Sequence, residues 1–264
     1  MKIVLSRLIK NNNKRHNVST FKRDTSIQLM VLILIFSTSL LAQGQTNKIT
    51  APKVYSTFDS IVGEQNMALY NGPIFKERST GASDTHAYFL ETNFLKGDII
   101  FDEQPYFEQN LKYNVHLDEL LITPKFNPTG LLVRLVKNKV KEFTIDGHRF
   151  IRLPSTLRDS QQYGYLEVLE SEEGNLLLKK YRKKSVQSRR ESQVITEYEE
   201  SIDYILLFGE ELIKANTKNQ WNNVFVDQKK ELRDLFKQNR IAFKTDKDTF
   251  FKLLFNKLVN PTEL

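Results

Sequence analysis

The chain has 264 residues, of which 40% are hydrophobic and 27% charged, so it is long enough and apolar enough to fold around a core. Its formal net charge of +7 suggests an anionic partner, but residues 1–44 hold seven basic residues against one acidic residue. The remainder has 32 basic and 31 acidic residues, which argues against a nucleic-acid-binding protein. The absence of cysteine excludes disulfides, thiolate catalysis and cysteine-ligated metals.

Residues 1–44 predict a signal peptide. A basic region that ends at Arg23 precedes the apolar segment 27–42, and small residues follow it. An uncleaved N-terminal anchor is the alternative interpretation of this segment. The pattern predicts an exported protein that resides in the periplasm, on the outer cell surface or in the medium, and that contacts the membrane only if the leader is retained.

Three further segments follow the leader. Residues 45–86 are weakly patterned, residues 87–215 predict an antiparallel β-domain, and residues 216–264 predict a helical segment that packs on the sheet. The fold class is therefore α+β: an antiparallel β-meander, either a curved sheet or a partly closed barrel, with two short C-terminal helices.

Alternation and turn residues predict the individual strands. Residues 111–118 alternate apolar and polar side chains, with Leu117 on the apolar face. Residues 141–153 predict a two-residue hairpin at Asp146-Gly147 that pairs Phe143 with Phe150. Two further hairpins are predicted, one turning at residues 172–175 and the other at Gly209.

Helical spacing appears after the last hairpin. Residues 226–239 predict one helix, with Asp227 as its N-terminal cap. Residues 245–258 predict the second, with Thr245 and Asp248 in a capping box.

A basic run is the most prominent functional candidate. It begins inside a predicted strand and is expected to continue into a protruding, flexible loop. Contact with an anionic envelope component is one interpretation, and a solvated arm that protects a strand edge is the other. The candidate contact residues are Lys179, Lys180, Arg182, Lys183, Lys184, Arg189 and Arg190.

No motif predicts a catalytic, cofactor-binding or metal site. The histidines show no close ligand pair, and the chain lacks a nucleophile elbow, a Walker A loop and a dinucleotide fingerprint. A hydrolase or carbohydrate-active enzyme remains the alternative hypothesis, with a site that converges from His116, Asp118 and His148. The aromatic residues of the first half suggest a binding platform, although rings in strands are more often core.

Residues 56–73, 95–122, 140–153 and 227–243 together resemble an uncharacterised family of secreted proteins from Bacteroidetes. The chain departs from that pattern at Glu103, where a turn glycine is common. The resemblance implies export and fold, and brings no activity or site residue. The sequence thus favours a non-enzymatic binding or structural module of the cell envelope, whose partner is an envelope protein or an anionic surface component.

Overall fold

The computed structural model describes residues 67–77, 85–124, 130–190 and 193–259, without the side chains of Arg190 and Gln193. The predicted leader at 1–44 and most of the segment at 45–86 lie outside the described residues. The described residues belong to the unit Ile49–Leu264.

Ten antiparallel strands form one sheet. They are β1 (Leu95–Phe101), β2 (Gln104–Asn114), β3 (Glu119–Thr123), β4 (Val133–Arg134), β5 (Val140–Ile145), β6 (His148–Arg152), β7 (Tyr165–Glu172), β8 (Asn175–Arg190), β9 (Gln193–Phe208) and β10 (Glu211–Lys214). Their order is β10-β9-β8-β7-β6-β5-β1-β2-β3-β4, so two meanders meet where β5 pairs with β1. No pairing between the described strands joins β4 to β10, and the sheet is not closed.

Four helices follow the sheet: α1 (Lys218–Val224), α2 (Lys229–Gln238), α3 (Arg240–Thr245) and α4 (Lys247–Val259). The α+β class and the antiparallel meander are confirmed, but the prediction of two C-terminal helices is wrong. Helix α1 begins at a capping box in which the Thr217 side chain and the Gln220 side chain each bond the other residue's backbone N–H. Helix α3 occupies a stretch that was expected to connect two helices.

The three predicted hairpins are confirmed. Asp146 and Gly147 have φ angles of 48° and 80°, the positive values that a type I′ turn requires. Phe143 lies opposite Phe150, and their rings stack with centroids 4.9 Å apart. The other two turns contain Gly174 and Gly209, both with positive φ. A further tight turn joins β1 to β2 through Asp102 and Glu103, which have φ angles of 52° and 63°, although no glycine is present.

The predicted strand at 111–118 begins too late and extends too far toward the C-terminus, because β2 spans Gln104–Asn114. Strand β2 ends at Asn114 and a turn follows, so Leu117 is 48% exposed rather than in the core. Lys112 and Asn114, assigned to the polar face, are both buried. The alternation therefore identifies the last part of β2 but not its start, its end or the solvation of its faces.

Both predicted helix caps are wrong. The residue before α2 is Gln228, which makes no side-chain capping bond. At α4, the Asp246 side chain accepts the backbone N–H of Thr249 at 3.1 Å, while Thr245 is the last residue of α3. Asp248 instead points to the sheet, where it contacts Lys179 and Tyr204.

Two large apolar clusters stabilise the sheet. One joins β1, β2, β5 and β6 through rings such as Tyr113, Phe143 and Phe150. The other packs the helices on β8 and β9, with Trp221 stacked on Phe251 at 5.7 Å. Helix α4 therefore packs on one face of the sheet, because its apolar residues recur at helical spacing and lie on one side of the helix.

Candidate functional site: a cleft between a two-stranded arm and the sheet

Strands β8 and β9 extend beyond the rest of the sheet. β8 pairs with β7 only over residues 175–179, and β9 pairs with β10 only over residues 205–208. Among the described strands, residues 180–190 and 193–203 pair only with each other, from Lys180 opposite Asp203 to Arg190 opposite Gln193. We call these two segments the arm. The prediction that the basic run continues into a flexible loop is wrong, because the strand continues to Arg190.

The start of the basic run is neutralised inside the protein. The Nζ of Lys179 lies 2.6 Å from a carboxylate oxygen of Asp248, and its side chain is 8% exposed. The Nζ of Lys180 lies 2.8 Å from Asp118, and its side chain is 6% exposed. Both ammonium groups are thus occupied by internal acids and turned away from any outside anion.

Asp118 is the centre of a buried polar network. Its carboxylate accepts hydrogen bonds from the Tyr113 hydroxyl at 2.6 Å and from the ammonium groups of Lys180 and Lys137. Burial by itself would raise the pKa of Asp118, but the charge of Lys180 and these hydrogen bonds outweigh it and lower the pKa. The same burial lowers the pKa of Lys180, and Asp118 offsets only part of that effect. Asp118 is therefore committed to holding β8 against the turn that follows β2.

The remaining cations divide between internal and exposed positions. Arg182 pairs with Asp203 at 2.5 Å, and Lys183 donates to the backbone carbonyls of His86 and Tyr88 at 3.1 and 2.7 Å. Lys184 and Arg189 are exposed, opposite Glu199 and Val194, and the Arg190 side chain lies outside the described residues. Residues 180–203 hold six basic and five acidic residues, so the arm is close to neutral.

The structure gives the three groups of the enzymatic hypothesis separate partners. The Nδ1 of His116 bonds the carbonyl of Lys183 at 2.8 Å, and Asp118 bonds the network described above. The Nδ1 of His148 contacts the buried carboxylate of Glu167, which also accepts the Tyr181 hydroxyl at 2.7 Å. His148 is therefore a half-buried member of a hydrogen-bonded group.

The aromatic residues of the first half are mostly core. Tyr88, Phe89, Phe101, Tyr106 and Tyr113 are each at most 5% exposed. The ammonium of Lys112 lies 4.4 Å from the centroid of the Tyr88 ring. These rings do not form an exposed platform.

A cleft of about 940 Å³ lies between the arm and the sheet. One wall comes from the arm through alternate residues of β8 and their cross-strand neighbours. The other wall comes from residues 75–77 and 86–92, the turn after β2, and strands β3 and β4. Its lining includes His86, His116, Glu119, Arg134, Ser185 and Tyr198.

Two histidines of the cleft have defined hydrogen-bonding roles. Nδ1 of His116 faces a carbonyl and therefore carries a proton, which leaves Nε2 as an acceptor in the neutral ring. Nδ1 of His86 accepts the backbone N–H of Tyr88 at 3.2 Å, which places the proton of the neutral ring on Nε2. Burial, followed by the charge of Lys183, lowers the pKa of His86 and favours the neutral form.

An ion pair lies on the wall of the cleft that faces the arm. Nη1 of Arg134 lies 3.0 Å from Oε1 of Glu119, across the β3–β4 region of the sheet. Oε2 of Glu119 is buried and finds no hydrogen-bond partner among the described residues. This atom has no accessible surface, so a ligand in the cleft would contact Glu119 through the part of its side chain that is exposed, 22% of the total.

Sequence reasoning missed this cleft. Glu119 and Arg134 are 15 positions apart, and Tyr198 follows the basic run by several residues. The local sequence holds no signal that these side chains share a cavity, because the register of the arm and the crossing to β3 bring them together.

Comparisons with models of known protein families, with curated proteins and with solved structures give no match. In the part of the chain that the structure describes, no group of three or more His, Asp or Glu side chains is placed to hold a metal ion. Across the same residues, no helix combines the length and apolar character that a membrane crossing needs.

Proposed function

We propose that this protein is a non-enzymatic binding module of the cell envelope and that its ligand occupies the cleft between the arm and the sheet. The observation that carries the proposal is a cavity lined from two independent parts of the fold, with the partly exposed Glu119–Arg134 ion pair on one wall. A cavity near 940 Å³ lies within the range of small-molecule and cofactor sites, about 300–1,000 Å³.

The contacts of the histidines and of Asp118 favour binding over catalysis. A general acid or base must reach a proton of the substrate, and a catalytic pair must reach each other or a common ligand. Asp118 accepts hydrogen bonds from three side chains, and His148 is held by Glu167. The hydrogen bonds of Asp118 and His148 therefore account for the positions of both side chains without a catalytic role.

The export of the protein and the curvature of the sheet belong to the same proposal. The basic and apolar pattern of residues 1–44 supports export. Register shifts within the β1–β2, β1–β5 and β7–β8 pairs support a curved sheet, since bulges bend strands and increase their twist. A curved sheet would carry the arm over the cleft.

The absence of cysteine allows the cleft to be blocked at one chosen position. Ser185 lines the cleft, whereas Ser188 lies on the opposite face of β8 because strand side chains alternate. Ser185→Cys and Ser188→Cys, each coupled to a bulky maleimide, form a matched pair. Both would be immobilised and exposed to cell-envelope extract of the producing organism.

We expect the uncoupled proteins and the coupled Ser188→Cys protein to retain the same component of the extract, and the coupled Ser185→Cys protein to lose it. The reason is that only the label at Ser185 fills the cleft. Retention of nothing by the wild-type chain, or equal retention by both coupled variants, would contradict the proposal.

A further inference from the structure

We infer that the cleft recognises a neutral, hydroxyl-rich ligand, an oligosaccharide, through the Glu119–Arg134 pair, the two histidines and the ring of Tyr198. This inference rests on the proposed binding function and narrows it to one chemical class. It also departs from the anionic partner that the basic run suggests.

The charges that line the cleft favour a neutral ligand. Its cationic side chains, Lys76 and Arg134, are matched in number by Glu77 and Glu119. Arg134 is already paired with Glu119, and Glu77 accepts the hydroxyl of Tyr88. An anionic ligand would lie against two carboxylates, and a cationic ligand against a guanidinium and an ammonium, so neither gains a net Coulomb attraction.

The hydrogen-bonding groups of the cleft alternate in kind. The exposed part of the Glu119 carboxylate and His116 Nε2 accept, while His86 Nε2 and the remaining N–H groups of Arg134 donate. A hydroxyl group both donates and accepts, so a ligand with adjacent hydroxyls can satisfy neighbouring acceptors and donors at once. A carboxylate or phosphate, which only accepts when ionised, could not donate to the Glu119 carboxylate or to His116 Nε2.

The cleft also offers an aromatic surface. Tyr198 lies on the arm wall, half-buried, with the ring of His116 packed against it at a centroid distance of 5.4 Å. The His116 ring is itself fixed by its bond to Lys183. A ring held in this way provides contact area for the C–H face of a sugar at little cost in side-chain entropy.

The test is calorimetric titration of the full chain with a panel of neutral di- to tetrasaccharides: cello-, malto-, manno- and chito-oligosaccharides. Glu119→Gln keeps the shape of the side chain and removes the charge. Glu142→Gln is its matched control, because Glu142 also pairs with an arginine across neighbouring strands, at 2.6 Å from Arg149, outside the cleft. Tyr198→Ala is a second cleft variant, and far-ultraviolet circular dichroism checks the fold of each.

We expect at least one saccharide to bind, with affinity reduced about tenfold or more by Glu119→Gln and by Tyr198→Ala and unchanged by Glu142→Gln. Binding that Glu119→Gln and Tyr198→Ala leave intact would overturn the inference. Suppose that no saccharide binds, but that the wild type retains the extract component and the coupled Ser185→Cys protein loses it. The inference about saccharides then fails, and the proposed binding function stands. If neither a saccharide nor an extract component binds to the wild type, the inference and the proposed function both fail.

Discussion

The two halves of β8 are both rich in basic residues, but these residues have opposite roles. Residues 175–183 lie within the sheet and at the base of the arm, where Lys179, Lys180 and Lys183 are largely buried and bonded to internal oxygens. Residues 184–190 belong to the outer arm, where Lys184 and Arg189 are exposed. A run of basic residues is therefore not a functional unit, because the role of each cation depends on the residues that the fold places beside it.

The largest effect is expected for Asp118→Asn, which removes the carboxylate charge that pairs with the buried ammonium of Lys180. Asparagine tolerates the positive φ of 54° at this position, so the backbone is not strained by the substitution. The ammonium of Lys180, with its side chain 6% exposed, would lose its compensating charge. We expect a loss of about 3 kcal/mol in the free energy of unfolding, measured by urea denaturation.

Lys180→Met serves as the comparison variant. It leaves Asp118 with Lys137 and Tyr113, so its cost should be smaller than that of Asp118→Asn. Equal stability of the wild type and Asp118→Asn would show that the buried pair is not what holds β8 in place.

Acid should narrow the gap between the wild type and Asp118→Asn. The pKa of Asp118 in the folded protein lies below its unfolded value of about 3.9. As the pH falls, the unfolded state therefore takes up a proton first. The stability contributed by the ionised carboxylate is complete above about pH 4 and is lost as the pH falls through the folded pKa. Urea denaturation of both proteins between pH 7 and pH 3 tests this, and a constant difference would contradict it.

Asp248→Ala should have an intermediate effect. Its carboxylate accepts from Lys179 at 2.6 Å and from the Tyr204 hydroxyl at 2.5 Å, and it thereby ties helix α4 to β8 and β9. We expect a loss of about 2 kcal/mol in the free energy of unfolding. Hydrogen exchange should show the loss of protection concentrated in α4, and a uniform loss across the sheet would argue against a local tie.

The smallest effect is expected for Lys184→Ala and Arg189→Ala, in the exposed half. Each should change the free energy of unfolding by no more than about 0.5 kcal/mol, because exposed cations of this kind contribute little. Urea denaturation of the two variants checks this. A cost comparable with that of Asp118→Asn would mean that the outer arm is packed against something that the described contacts do not contain.

The hairpins were predictable because their signals are local. Asp146-Gly147 demands positive φ angles at two consecutive residues, and alternation on either side fixes the register, so the Phe143–Phe150 pair followed. The helix α1 was missed even though Thr217 and Gln220 form a capping box, since its single strong apolar residue, Trp221, gives no helical period.

The ion pairs and the cleft were not predictable, because they depend on long-range register. Asp118 and Lys180 are 62 positions apart, and Lys179 and Asp248 are 69 apart. The sequence does not show whether a Lys or Arg side chain pairs with an acidic residue or is exposed to solvent. Residues such as Glu119 and Arg134 therefore gain meaning only when the sheet order is known.

The measurement that tests the account most directly sets the cleft against the exposed cations of the arm. Binding of the envelope component would be compared, at matched protein concentration and salt, between Ser185→Cys coupled to the maleimide and the double charge reversal Lys184→Glu with Arg189→Glu. We predict that the coupled Ser185→Cys protein loses binding and that the charge-reversed protein retains it. Loss of binding in the charge-reversed protein, with retention in the coupled one, would contradict binding in the cleft. It would show instead that the exposed basic residues of the arm bind the component.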